Sequence, residues 1–244
     1  MRPLGKVSGG RVSRRSRLST IILVRHARSV ANAEGVLAGQ TPGVTLDSTG
    51  IKQSKELAQT LGPLSIAKVF VSPLQRCVDT ITPWLATYGN GIDVHSEPRI
   101  IEPDYGLWSG KKLTELSLDP LWKDVQRNPE TVQFPHGEKF IDVWNRVRSF
   151  YLSLQGIADE TSNFIVVSHG DIIKFLIANI LQLEFQKFQT LVVEPASVSI
   201  AQISKAESRL LQFNRSHEPL NKTIEALFSS SLGGEVRQNK SEGK

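Results

Sequence analysis

The sequence predicts an α/β fold: three layers, α/β/α, around a mainly parallel central sheet. Three observations predict it. Short apolar runs rich in β-branched residues occur at 20–24, 67–71 and 163–167, and each ends in a polar cluster. Continuous apolar runs of this length suit strands buried on both faces, as in a parallel sheet. Helical periodicity lies between and after these runs, and alternating strands and helices build layered folds. The 244 residues are 39% hydrophobic and 22% charged, which suits one large domain and argues against wholesale disorder or a coiled coil.

The first strand, 20–24, runs straight into Arg25 and His26. A helix is predicted over 50–61, carrying Ile51, Leu57, Ala58 and Leu61 and stopped by Gly62 and Pro63. The second strand, 67–71, is followed by Ser72, Pro73, Leu74, Gln75 and Arg76 and by a helix over 74–85, whose later part Pro83 should perturb. Phe140 is followed by Val143, Trp144, Val147, Phe150, Tyr151 and Leu154 at offsets of 3, 4, 7, 10, 11 and 14, an amphipathic stripe. The third strand, 163–167, leads into Ser168, His169 and Gly170, and 172–181 is apolar enough to be a helix buried on the sheet. Residues 197–203 and 210–213 read as strands. A single domain is expected over 20–220, between a basic tail at 1–19 and a polar tail at 221–244.

The net charge of +5 belongs to that first tail. Residues 1–19 hold six of the 29 basic side chains and no acid, leaving 23 basic residues against 24 acidic ones from Thr20 onward. The tail reads as a solvated extension, and no basic face for nucleic acid is expected on the fold. It lacks the apolar segment of a secretory signal, and no run approaches the ~20 residues of a membrane span, so neither membrane nor export is expected and the location reads as cytoplasmic. Cys77 is the one cysteine, which rules out an internal disulfide and a cysteine-based zinc cluster. It reads as inert packing.

Ligands of open α/β sheets sit beyond the carboxyl ends of the strands. The three strands deliver Arg25 and His26, Arg76, and His169 to such an edge. Two guanidiniums and two imidazoles suit a phosphate dianion, since arginine forks bind phosphate oxygens in pairs and histidine can donate another bond. Histidine is also a side chain that forms covalent intermediates. Each residue alone is a weak signal; the force lies in the repetition at three strand ends.

These residues resemble the signature blocks of the histidine phosphatase superfamily, in its phosphoglycerate-mutase-like branch. The resemblance rests on Leu23, Val24, Arg25 and His26 with Ser29 and Asn32; on Ser72 through Arg76 with Thr80; and on Val167, Ser168, His169 and Gly170. Leu46, Gly50 and Gln53, the segment 101–110 with Glu102, Gly106, Trp108 and Gly110, and His136, Gly137 and Glu138 match further blocks in order. The resemblance spans about residues 20–203 and implies a phosphoglycerate-mutase-like fold. It implies that His26 attacks phosphorus and becomes phosphohistidine. Arg25, Arg76 and His169 would hold the equatorial oxygens, with Asn32 as a neutral donor. Glu102 would protonate the leaving oxygen and then deprotonate water, which calls for a raised pKa from burial beside Tyr105 and Trp108. Gly39, Gln40 and Thr41 would border the bound phosphate ester. Glu138 would cap the following helix or border the pocket, with capping the favoured reading.

The sequence departs from the family pattern at Ala27, where glycine is usual, and at Arg28, where glutamate or glutamine is usual. Arg28 therefore reads either as an extra phosphate-binding cation or as a solvated surface residue. Asp79 and Ser109 also depart from the usual residues without removing a required group. No metal or cofactor is implied. The expected activity is metal-independent hydrolysis of a small phosphate ester. Alternatives are phosphoglycerate mutase chemistry, weakened by the lack of segments that sense a bisphosphate, and a non-catalytic phospho-ligand scaffold, which would need neither His26 nor Glu102. An exposed edge among the C-terminal strands could support a homodimer.

Overall fold

A computed structural model describes residues 18–158 and 162–216, with a short pairing of Ser230–Ser231 and Glu235–Val236 beyond them. Its sheet contains β1 (Ser19–Arg25), β2 (Lys68–Val71), β3 (Asp93–Ser96), β4 (Asn163–Ser168), β5 (Val198–Ile203) and β6 (Ser208–Arg215), in the spatial order β3-β2-β4-β1-β5-β6. The first four in that order are parallel; β5 runs antiparallel to β1, and β6 antiparallel to β5. The helices are α1 (Val30–Glu34), α2 (Ser48–Leu61), α3 (Gln75–Tyr88), α4 (Leu113–Leu116), α5 (Pro120–Arg127), α6 (Phe140–Ile157) and α7 (Gly170–Ile180).

The three layers follow from the two-residue period of the strands. Ile21 and Leu23 of β1, Phe70 of β2, and Phe164 and Val166 of β4 face one way, into a core shared with Phe140, Val143, Val147 and Phe150 of α6 and Phe175 and Leu176 of α7. Ile22 and Val24, Val69 and Val71, and Ile165 and Val167 face the other way, against Leu57 and Leu61 of α2 and Ile81 and Trp84 of α3. Strands apolar on both faces are therefore sandwiched between helices, as the continuous apolar runs require. The larger core is rich in aromatic edge-to-face contacts, such as Phe140 with Phe188 at 5.4 Å and Phe175 with Phe140 at 5.4 Å.

Several elements differ from the sequence expectation. The edge strand β3 is exposed at all four residues, Asp93, Val94, His95 and Ser96, so it carries no apolar signal. The short helices α1, α4 and α5 bury few residues and were not marked by periodicity. Pro83 does not end or shorten α3, which continues to Tyr88. The lost ladder bond is offset by the buried anchors Ile81 and Trp84 on either side of it. Ser19 already belongs to β1, so any N-terminal tail ends before it; residues 1–17 and most of the expected C-terminal tail at 221–244 lie outside the described residues. No helix among the described residues is long and apolar enough to cross a membrane.

Candidate active site

Strand register builds the site. In the parallel β1–β4 pair, Arg25 lies beside Ser168, so the residues that follow, His26 and His169, emerge side by side. The backbone N–H of His26 donates to the Ser168 carbonyl at 2.8 Å, and the two imidazoles stand edge to face with centroids 5.2 Å apart. Val71 of β2 pairs with Val167 of β4, which brings Ser72 and the start of α3, with Arg76 in its first turn, to the same edge.

His26 Nδ1 lies 2.8 Å from the carbonyl oxygen of its neighbour Ala27. A carbonyl only accepts, so Nδ1 carries the proton and Nε2 keeps its lone pair. Burial first, then the charges of His169, Arg76 and Arg25, hold the His26 pKa well below its ordinary 6.5. The imidazole is therefore neutral at neutral pH, as a nitrogen nucleophile must be.

Arg25 and Arg76 are almost fully buried, at 4% and 1% exposure, and are fixed by backbone carbonyls: Arg25 Nη1 donates to Val193 at 2.6 Å and Arg76 Nη2 to Gly39 at 2.8 Å. Two guanidiniums held this way make a pre-set anion site. Glu102 faces them, its Oε2 2.9 Å from His169 Nδ1 and 3.5 Å from Arg76 Nη2. His169 Nε2 lies 2.7 Å from Ser72 Oγ, so Nδ1 donates to the carboxylate while Nε2 accepts from the serine hydroxyl. A cavity opens over this group, lined among others by Arg25, His26, Asn32, Gly39, Arg76 and Glu102.

His26, Glu102 and His169 present ligand atoms within 4.8 Å of one another, enough in number and type for one divalent cation. Two buried guanidiniums at the same spot oppose a cation and favour an anion.

Residues 21–216 match the model of the histidine phosphatase superfamily (branch 1). The chain belongs to the histidine phosphatase superfamily. Phosphoserine phosphatase 1 of Hydrogenobacter thermophilus is 31% identical to it over 199 residues, covering 80% of this chain and 91% of that protein. The structure of a mycobacterial glucosyl-3-phosphoglycerate phosphatase superposes with a TM-score of 0.70 at 25% identity, covering 82% of this chain and all of that one. The alpha-ribazole phosphatase of Shigella flexneri shares the fold, with a TM-score of 0.70 at 24% identity over 82% of this chain and 100% of its own. This histidine phosphatase is an enzyme of phosphomonoester hydrolysis.

Four expectations for its site are corrected by the geometry. Glu102 is not raised in pKa: burial pushes it up, but His169, Arg76 and His26 outweigh burial and hold it far below the usual carboxylate range. Arg28 does not line the cavity; its Nη2 lies 2.7 Å from Asp47 Oδ2 and donates to Thr49 Oγ1. Thr41 is exposed and also stands outside the cavity lining. Gln40 spends its amide on the Glu102 carbonyl, at 2.9 Å, so it positions the carboxylate's backbone and does not line the cavity. Asn32 and Gly39 do line it, Asn32 with its Oδ1 accepting from the Ser29 N–H and hydroxyl in a capping box.

Ala27 is tolerated because its methyl packs in a small pocket with Leu46 and Ala196, and its N–H donates to Thr80 Oγ1 at 2.9 Å. Cys77 is fully buried and its thiol is pushed up to about 12 by burial, as inert packing predicts, although its Sγ lies 3.5 Å from His169 Nε2.

Sequence reasoning missed a brace. Glu138 does not cap α6; its Oε2 accepts from the Asp104 N–H at 2.8 Å and pairs with Arg146 Nη2 at 3.1 Å. Arg146 also donates to the carbonyls of Arg99 and Glu102, at 2.8 and 3.3 Å. The loop that carries Glu102 is thus bolted to α6. The one signal for this in the sequence is Glu138 and Arg146 two helical turns apart, which by itself reads as a surface charge pair.

Proposed function

We propose that this enzyme hydrolyses phosphomonoesters of a small cytoplasmic metabolite through a phosphohistidine at His26, without a metal ion. The observation that carries the proposal is the fixed His26 tautomer: Nδ1–H on the Ala27 carbonyl, and Nε2 neutral beside two buried guanidiniums. The ester phosphate binds on Arg25 and Arg76, with His169 turning its Nδ1–H from Glu102 to a phosphate oxygen. Nε2 attacks phosphorus in line, and the bond from phosphorus to the ester oxygen breaks.

Glu102 is the general acid. The His169 N–H and the Arg76 guanidinium hold its charge and keep it ionised. A phosphate dianion that takes the His169 N–H and the Arg76 guanidinium removes that hold, and the carboxyl takes up a proton. That proton goes to the leaving oxygen. Water then gives a proton to the Glu102 carboxylate and attacks phosphorus, the phosphorus–nitrogen bond breaks, and inorganic phosphate leaves with His26 neutral again. Arg25 and Arg76 offset the charge that develops on the equatorial oxygens.

Nucleic acid has no part in this scheme, since the positive excess is confined to residues 1–19. A homodimer through the edge strand β6 is the assembly we favour, because Leu211 and Phe213 are exposed on it; sedimentation as a monomer at micromolar concentration would argue against it.

The test is a hydrolysis screen over phosphomonoesters in EDTA, with His26→Ala and Glu102→Ala. Turnover should persist in EDTA and fall by about 10⁴-fold or more in His26→Ala. An acid-labile, base-stable phosphoprotein should be trapped from the unmodified enzyme and not from His26→Ala. Glu102→Ala should lose about 10²–10⁴-fold on alkyl esters and much less on nitrophenyl phosphate, whose leaving group needs no proton. Undiminished turnover in His26→Ala would end the assignment.

A further inference from the structure

The cavity that starts at His26 continues into a chamber walled by α4 and α5. Leu113 of α4 and Trp122, Val125 and Gln126 of α5 line it together with Trp108 and Phe134. The two indoles are 6.0 Å apart and inclined by 31°, and the Trp108 indole N–H donates to Asp119 Oδ2 at 3.2 Å. Arg25 and Arg76 are the only cations that line the cavity among the described residues, and both sit at the phosphate end. Asp171 also lines it, but its two oxygens are matched by Lys174 Nζ at 3.2 Å and the Tyr105 hydroxyl at 3.3 Å. Gln126 Oε1 is buried and has no hydrogen-bond partner. A buried acceptor left unmade is costly, so a group that fills the chamber gains by bringing a donor to it.

We propose, building on the phosphohistidine chemistry above, that the chamber selects phosphomonoesters whose alcohol carries an uncharged ring or apolar body with one hydroxyl or amine donor. The body lies against Trp108 and Trp122, and the donor meets Gln126 Oε1. An ester with a second anionic group, such as O-phosphoserine or 3-phosphoglycerate, finds no third cation in this wall. The substrate class therefore differs from the compounds named for the phosphoserine phosphatase and the glucosyl-3-phosphoglycerate phosphatase of the comparison. Apolar walls with one or two placed polar atoms are the usual make-up of a selective small-molecule pocket.

Binding and turnover test this separately. Calorimetric titration should show 3-phenylpropylphosphonate binding about 10- to 100-fold more tightly than 2-amino-4-phosphonobutanoate, which carries a carboxylate. In turnover, kcat/KM for 2-phenylethyl phosphate should exceed that for O-phosphoserine by a similar factor; both leave as alkyl alcohols. Trp122→Ala should cut this ratio about tenfold. The unmodified enzyme should favour 2-(4-hydroxyphenyl)ethyl phosphate over its 4-methyl counterpart, and Gln126→Leu should erase that preference. Equal or tighter binding of the carboxylate-bearing phosphonate, or a ratio unmoved by Trp122→Ala, overturns the proposal. Turnover that depends on His26 but prefers O-phosphoserine also overturns it while leaving the phosphohistidine chemistry intact. Apolar phosphonate selectivity without hydrolysis of any ester supports the chamber and counts against the catalytic assignment.

Discussion

The two halves of the site are built differently. His26, Arg25 and His169 stand at the ends of β1 and β4, and Arg76 in the first turn of α3, where ladder register and full burial fix them. Glu102 and the chamber residues come from the stretch 98–138, which is made of three-residue 3₁₀ turns and the short helices α4 and α5. One half is a rigid product of the sheet. The other is held by individual polar ties, notably Arg146 and Gln40 on the Glu102 backbone. The difference teaches how the work is divided: the phosphate ligands sit at strand and helix ends set by ladder register, and Glu102 and the leaving-group wall on a stretch whose Trp108, Val125 and Phe134 belong to the core.

The largest expected effect lies in the sheet half. Arg76→Ala removes a phosphate ligand and the bond to the Gly39 carbonyl together, and should lower kcat/KM by about 10²–10³-fold in steady-state assays. It should also free Glu102 to titrate higher, visible as an upward-shifted carboxyl by NMR. A loss below tenfold would mean that the two halves do not meet at Arg76.

In the loop half, Gly106 has φ +52 and a Cβ there would lie 2.0 Å from the Pro135 carbonyl oxygen. Gly106→Ala should destabilise the fold by about 1–3 kcal/mol in chemical denaturation and reduce turnover with it. Full stability with normal turnover would show that this loop has slack.

Acid should separate the two groups of ionisable residues. His26 and His169 titrate below their ordinary 6.5 when folded, chiefly because burial disfavours their charge; Glu102 and Glu97 titrate below 4.5 because their cationic and hydrogen-bonding neighbours outweigh burial. In every case the unfolded chain binds protons first as pH falls, so stability declines on acidification. The histidine contribution sets in below about pH 6.5. The carboxylate contribution, fully present above 4.5, is lost as pH drops towards the folded values. Denaturation midpoints should therefore be highest above pH 6.5, and a midpoint that rises between pH 6.5 and 4.5 would contradict the buried, neutral state of His26.

The smallest effect is expected at Arg28. Its pair with Asp47 is 40% exposed on the arginine side, so solvent screens it; Arg28→Ala should change stability by less than about 1 kcal/mol and leave kcat/KM for every ester within twofold. A large loss of phosphate affinity would restore it to the binding site.

The sequence by itself determined the sheet edge and its cargo. Apolar runs of β-branched residues can only be strands buried on both faces, and whatever follows them in the chain must emerge at their carboxyl ends; hence Arg25, His26, Arg76 and His169 were legible as one group. The α2, α6 and α7 helices were legible for the same reason, because a long amphipathic or apolar stripe has one way to be buried. Tertiary structure alone decided the rest. The edge strand β3 has no apolar face to announce it. The ionised state of Glu102, the diversion of Arg28 to Asp47, the brace of Glu138 and Arg146, and the aromatic chamber under α5 all depend on which polar groups meet across long stretches of chain. Distance and burial set those outcomes, and neither is written in the order of the residues.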